Sequence, residues 1–144
     1  MCSCDDGDAP KVFTDQFRRA RAGWACEECP RRIQHGQWYV ECRGLWDQTW
    51  QTYQICMRCW ARQRAWSEVE GCHPPFGTLA DSIQECILEE TDVGRRYIKA
   101  LRAHRAKLAH QILALETARR ERYRLAGTAR EAKRRQLAHL GSGI

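Results

Sequence analysis

Two Cys-x-x-Cys pairs constrain this chain more than any other feature of its sequence. The first pair is Cys26 and Cys29, the second is Cys56 and Cys59, and 26 residues lie between the pairs. Together they supply four thiolates, which is the number that zinc binds in a tetrahedral structural site. Because four protein ligands leave no open position for a substrate, the pattern predicts one structural Zn²⁺ and not a catalytic metal.

The sequence around the pairs predicts a small α+β module. Gly36 follows the first pair and can adopt the positive φ of a tight reversal, which would form a zinc knuckle. Residues 37–42 and 50–55 favour two strands joined by a turn at 44–49, and residues 56–70 favour a helix that Gly71 ends. Knuckle, hairpin and helix in this order are typical of a treble-clef-like zinc fold.

Three motifs in this region resemble small zinc-binding proteins encoded by bacteriophages and prophages. They are Cys-x-x-Cys-x-Arg-x-Ile-x-x-Gly at 26–36, Gly-Leu-Trp-Asp at 44–47 and Thr-Tyr-x-x-Cys-x-x-Cys at 52–59. The resemblance covers about residues 1–77. It implies a phage-type zinc module from a family of mostly unassigned function, with no catalytic residues to transfer to this chain.

A second group of zinc-binding side chains lies outside the two pairs. Cys2 and Cys4 are close to the N-terminus, and Cys72 and His73 follow the predicted helix. These four are a chemically suitable set for a second zinc ion. The alternative is that they are free. Cys42 and Cys86 are expected to be small apolar core residues.

Cysteine usage and hydropathy indicate a cytoplasmic protein. Nine cysteines form an odd number, and the two Cys-x-x-Cys pairs favour metal-bound thiolates in a reducing compartment. No stretch approaches the roughly twenty apolar residues of a membrane span, and the N-terminus lacks the features of a signal peptide. We therefore expect the cytoplasm, that of a bacterial host if the chain is phage-encoded, and no membrane partner.

Composition and charge predict a zinc module at 1–77 and a helical extension at 78–144. Residues 1–90 carry a formal charge of −4, and residues 91–144 carry +10. A short helix capped by Thr78 or Asp81 should precede a long helix over 95–140. That helix is either continuous or folded back at Gly127, where glycine costs about 1 kcal/mol in a helix interior.

Several side chains are candidates for contact with a partner. The apolar stripe of the long helix, Ile98, Leu101, Leu108, Ile112 and Leu115, is too long for a small module to cover, so it should pack on a partner helix or on a second copy in a homodimer. Arginine clusters follow the stripe, and Trp46 and Trp50 flank the predicted hairpin turn. The predicted partner-binding residues are Trp46, Trp50, Leu101, Leu108, Arg119, Arg120, Arg134 and Arg135.

Two further expectations concern the first half of the chain. Trp24, Trp38 and Trp60 are expected in the core, because a module of this size has few other large side chains. Residues 17–21, Phe-Arg-Arg-Ala-Arg, are expected to form the solvated face of a helix-like stretch.

These observations favour a non-catalytic, zinc-stabilised binding protein that engages a host protein or macromolecular assembly. The alternative is a nucleic-acid-binding regulator that uses the zinc module as a scaffold and the basic helix on phosphates. An enzyme is the last choice, because the sequence has no open metal site and no glycine-rich phosphate loop.

Overall fold

The computed structural model describes residues 10–71, 73–89 and 91–141, apart from the side chains of 85–89, 91 and 138–141. The architecture is α+β, as the sequence predicts: a small antiparallel sheet precedes the helices. The elements in chain order are β1 (Phe13–Arg19), β2 (Trp24–Ala25), β3 (Arg32–Ile33), β4 (Trp38–Trp46), β5 (Thr49–Cys56), α1 (Met57–Glu70), α2 (Leu79–Glu89) and α3 (Thr91–Gly141).

The main sheet is built on the β4–β5 hairpin. Asp47 and Gln48 form its two-residue turn with φ of 44° and 64°, and two positive φ values give the primed turn whose twist matches that of paired strands. The predicted turn at 44–49 is therefore too long. Gly44, Leu45 and Trp46 continue β4 and pair with residues of β5.

β1 is the third strand of this sheet, and it corrects the expectation of a helix-like stretch at 17–21. The strand order is β1-β4-β5, and all seven residues of β1 pair antiparallel with β4. Arg18 forms a 2.9 Å ion pair with Glu41 on β4, and Arg19 Nε donates to the Gly36 carbonyl at 2.7 Å. These two arginines therefore fix the strand to its neighbours.

The core lies between the sheet and α1. Trp66, Ile55, Cys42 and Ala65 have no measurable exposure, and Ile33 and Val40 are 1% exposed. The core placement of Cys42 is confirmed; the side chain of Cys86 lies outside the described residues.

Of the three tryptophans predicted to lie in the core, only one is buried. Trp60 is buried as expected, whereas Trp38 is half-buried and Trp24 is 41% exposed. Trp24 is misassigned because β2 has only two residues and both are exposed. Trp66 on α1 is instead the largest fully buried side chain among the described residues.

The first part of α3 packs on α1 within a compact unit that runs from Met1 to Leu108. The Tyr97 ring meets Trp66 edge to face with centroids 6.0 Å apart. His104 Nε2 lies 2.7 Å from a carboxylate oxygen of Glu68, and Arg96 donates to the Val69 carbonyl at 2.9 Å. The helical extension thus begins inside this unit.

The second unit, Ala109–Ile144, contains the rest of α3. Of the two predicted alternatives the continuous helix is observed, since α3 passes through Gly127 without a break. Every side chain from 120 to 137 is exposed. None of the helices in the described part of the chain combines the length and apolar character that a bilayer span needs.

Candidate metal centre

The two cysteine pairs converge on one point of the first unit. Cys26 and Cys29 lie in the turn between β2 and β3, Cys56 ends β5, and Cys59 lies in the first turn of α1. All four sulfur atoms lie within 4.8 Å of one another, and the Cys29 and Cys56 sulfurs are 4.0 Å apart. The predicted ligand set is therefore brought together, and no disulfide joins the described cysteines.

This arrangement fits a tetrahedral metal ion. Thiolates about 2.3 Å from a common centre have neighbouring sulfurs about 3.8 Å apart, so the cluster needs only small shifts to reach that geometry. Cys26 and Cys59 are buried, and the other two are half-buried. The four cysteines could hold one metal ion and would fill its coordination shell.

Backbone hydrogen bonds hold the two halves of the site together. The Cys26 N–H donates to the Arg31 carbonyl at 3.0 Å and closes the turn, and the Glu27 N–H donates to the Gln54 carbonyl on β5 at 3.0 Å. The Cys56 N–H donates to the Cys26 sulfur at 3.3 Å. This contact joins the end of β5 directly to a sulfur of the first pair.

Hydrogen bonds among the clustered cysteines shift their pKa values in opposite directions, and those with Cys26 and Cys56 raise the pKa of Cys59. Hydrogen bonds from Cys26 and Cys59 lower the pKa of Cys56 to about 3, and a thiolate is the form that binds a metal ion. Burial raises the pKa of Cys42 to about 12. Cys42 is therefore a neutral packing residue although it belongs to the same sheet.

Glu28, between the two ligands of the first pair, was missed by sequence reasoning. Its side chain is 5% exposed, and its Oε2 accepts from the Leu79 N–H at 3.3 Å, at the first residue of α2. Burial raises the pKa of Glu28, and hydrogen bonds from the backbone of Gly77 and Leu79 oppose that rise. A carboxylate at a helix N-terminus satisfies free N–H groups and interacts favourably with the helix dipole.

Glu28 replaces the cap that the sequence predicts for α2. The Thr78 hydroxyl donates to the Pro75 carbonyl at 2.9 Å instead of capping the helix. From the sequence alone, a glutamate in a Cys-x-x-Cys turn is expected to be exposed to solvent. The spacing gives no sign that it contacts a helix that begins 51 residues later. The turn that carries Cys26 and Cys29 and the start of α2 are thus joined by one side chain.

We expect Glu28→Ala to destabilise the protein while leaving the metal ion bound. Removing the buried acceptor of the Leu79 N–H should cost about 1–3 kcal/mol. Glu27→Ala is the matched control, since Glu27 is exposed and should change stability by less than about 0.5 kcal/mol. Urea unfolding with parallel metal analysis measures both effects. Equal unfolding midpoints for the two variants would contradict the capping role.

The proposed second zinc site falls largely outside the described residues, because Cys2, Cys4 and Cys72 do. His73 is exposed, and its ring nitrogens lie 3.0 Å from the Ser67 hydroxyl. Although the residue as a whole is exposed, partial desolvation of its ring lowers the pKa of His73, and the nearby Arg64 charge lowers it further. The second site stays a prediction.

Trp46 and Trp50 have different surroundings. Trp46 is half-buried and contacts Phe13, Tyr53 and Phe76 at centroid distances of 5.5–6.3 Å. A Cβ at Gly44 would lie 2.4 Å from the Trp46 ring, so glycine is needed there. Trp50 is 58% exposed. Of the two, only Trp50 keeps most of its surface for a partner.

The predicted partner-binding residues of the long helix also differ in their surroundings. Leu101 and Leu108 are 8% and 9% exposed and belong to the core of the first unit, so this part of the stripe is covered within that unit and leaves little surface for a partner. Arg119 is half-buried, whereas Arg120, Arg134 and Arg135 are exposed. They lie together in the second unit.

Comparisons with protein-family models, curated proteins and solved structures find no match to this chain.

Proposed function

We propose that this chain is a non-catalytic, zinc-stabilised binding protein whose partner is a negatively charged macromolecule. The observation that carries the proposal is the run of exposed side chains from 120 to 137 on a basic helix. A segment that contributes no buried side chains and carries a concentration of positive charge is suited to contact with an anionic surface.

We further propose that the ion is zinc and that the first unit is a treble-clef-like module. Four thiolates in a closed tetrahedral set favour zinc over hard cations, which prefer oxygen ligands. The chain order supports the fold: the first ligand pair lies in the β2–β3 turn, β4 and β5 form a hairpin, and the second pair begins α1. A complete thiolate shell stabilises structure and leaves no position for a substrate.

The resemblance to phage- and prophage-encoded zinc proteins supports a role in binding a component of a bacterial host. The sequence suggests two contact elements on the long helix, the apolar stripe and the arginine clusters, and the proposal keeps only the second. Since Leu101 and Leu108 are buried in the first unit, the proposed contact moves from the apolar stripe to the basic segment of α3 beyond residue 109. Host proteins with acidic surfaces and nucleic acids both have the required charge.

Retention of the intact protein on a heparin column tests this function. We expect elution well above physiological salt, and a full-length variant with Arg120→Gln, Arg122→Gln and Arg134→Gln should elute at clearly lower salt. Recovery of the bound polyanion unchanged after incubation with the protein checks the absence of turnover. Passage of the unmodified protein through the column at low salt, or breakdown of the polyanion that depends on the intact cysteine site, would refute the proposal.

A further inference from the structure

The charges of the second unit are distributed unequally around α3. Residues 109–144 contain eight lysine and arginine residues and three glutamates. At about 100° per residue, one half of the helix circumference carries six of the cations and only Glu116. The other half carries Arg124, Arg135, Glu121 and Glu131. The formal charge is therefore +5 on one half and zero on the other.

Ion pairs within the helix sharpen this difference. All three glutamates are paired one turn away: Arg119 with Glu116 at 3.1 Å, Arg124 with Glu121 at 2.6 Å, and Arg135 with Glu131 at 2.7 Å. Five cations have no ion pair with any residue that the structure describes. These cations, here called the basic face, are Arg120, Arg122, Arg130, Lys133 and Arg134.

The basic face is not suited to pairing with a second copy of this helix. The heptad frame of the apolar stripe, 98, 101, 105, 108, 112 and 115, continues as 119, 122, 126, 129, 133 and 136. In that continuation three of the six seam positions are Arg119, Arg122 and Lys133. A coiled-coil dimer would bury these cations against their own copies, and burying unpaired charge is strongly unfavourable.

The angle over which the basic face extends around the helix favours a grooved binding partner over a flat protein surface. The five cations cover about 160° of the helix circumference, whereas a helix lying on a protein surface buries a stripe roughly 100° wide. A groove with charge on both walls contacts a helix from two sides. The major groove of B-form DNA is about 12 Å wide, admits an α-helix, and has phosphates along both edges.

The length of the basic face fits the same groove. Arg120 and Arg134 are 14 residues apart, which is about 21 Å along a helix that rises 1.5 Å per residue. This is shorter than one turn of B-form DNA, about 34 Å. The major groove of an A-form RNA duplex is deep and too narrow for side chains to reach into. Charge, spread and length therefore favour a DNA duplex.

We propose that the basic face of α3 binds the phosphates on both sides of the major groove of duplex DNA. This inference rests on the proposed function and names its partner. Binding depends on charge and groove shape, not on base sequence, because the five cations contact backbone phosphates. Five neutralised phosphates predict a log–log salt dependence of affinity with a slope of about −4.5.

The test compares two double variants of the full-length protein that carry the same net charge. Arg122→Gln with Arg130→Gln removes two cations from the basic face, and Arg124→Gln with Arg135→Gln removes two paired cations from the other half. Fluorescence anisotropy with a labelled 30-base-pair DNA duplex of arbitrary sequence gives the affinity at several salt concentrations. The first variant should lower the steepness of the slope by about 1.8, and the second should leave it nearly unchanged. Circular dichroism and metal content confirm that both variants are folded.

Competition separates this inference from the broader function. Unlabelled duplex DNA should displace the probe at least tenfold better than poly-glutamate or the duplex RNA of the same sequence. Equal competition by poly-glutamate or by duplex RNA would overturn duplex DNA as the partner and leave the polyanion-binding function standing. Equal loss of slope in the two double variants would overturn the basic face as the contact. Absence of binding to DNA and heparin alike would remove both proposals.

Discussion

Cys56→Ser is expected to release the metal ion and unfold the first unit. The Cys56 sulfur links the end of β5 to the turn between β2 and β3, 4.0 Å from the Cys29 sulfur. Structural zinc contributes about 10–16 kcal/mol in small zinc modules, which is comparable to the whole stability of a typical domain, about 5–15 kcal/mol. Weakening the site with a serine hydroxyl should therefore cost most of the folding free energy.

Metal analysis and near-ultraviolet circular dichroism measure this outcome. The unmodified protein should contain at least one zinc per chain, and Cys56→Ser should contain less and lose its aromatic signal. Cys42→Ala is the matched control, because Cys42 is fully buried in the same sheet but does not belong to the ligand set. It should retain the metal ion and lose about 1 kcal/mol. A folded Cys56→Ser protein with unchanged zinc content would rule out the site.

Trp66→Ala is expected to cause the largest loss of stability among changes away from the metal ligands. Trp66 has no exposed surface, and its ring packs against Tyr97. Removing a buried aromatic side chain typically costs about 3–5 kcal/mol through lost burial and the cavity that remains. Trp50→Ala is the control within the same residue type, since Trp50 is 58% exposed and should change stability by less than about 0.5 kcal/mol.

Chemical unfolding followed by far-ultraviolet circular dichroism compares these tryptophan variants without relying on their fluorescence. Trp66→Phe serves if Trp66→Ala is too unstable to purify, because phenylalanine keeps most of the ring and should lose less. Equal unfolding midpoints for Trp50→Ala and either Trp66 variant would contradict the assignment of Trp66 to the centre of the core.

The half of the fold that carries the four clustered cysteines could be predicted because its signals are local. Ligand spacing, strand-forming residues and a terminating glycine each act within a few positions. Gly71 ends α1 in the left-handed conformation, with φ of 72° and its N–H bonded to the Ser67 carbonyl, as the sequence predicts. The four sulfurs meet because the Glu27 N–H bonds to the Gln54 carbonyl and so brings the β2–β3 turn next to the end of β5.

The failed expectations depend on distant partners. β1 has almost no buried side chains, so its sequence lacks the alternation that identifies a strand, and only pairing with β4 specifies it. Leu101 and Leu108 have the spacing of a docking stripe, but periodicity does not tell which surface covers it. The role of Glu28 was missed for the same reason. Its carboxylate accepts from the Leu79 N–H only because the fold places the start of α2 next to the turn that carries Cys26 and Cys29.

The single helix α3 has a consequence for local unfolding along its own length. Val93, Tyr97 and Ala100 are buried, so opening the helix there would disrupt the core of the first unit. Between 120 and 137 the helix relies on its backbone hydrogen bonds and on exposed Glu–Arg pairs, which contribute little to stability. Helices without tertiary support are marginal in water, so amide hydrogens and protease sites in that segment become accessible through small local openings. Docking into a groove would suppress those openings, and affinity would include the cost of making the segment rigid.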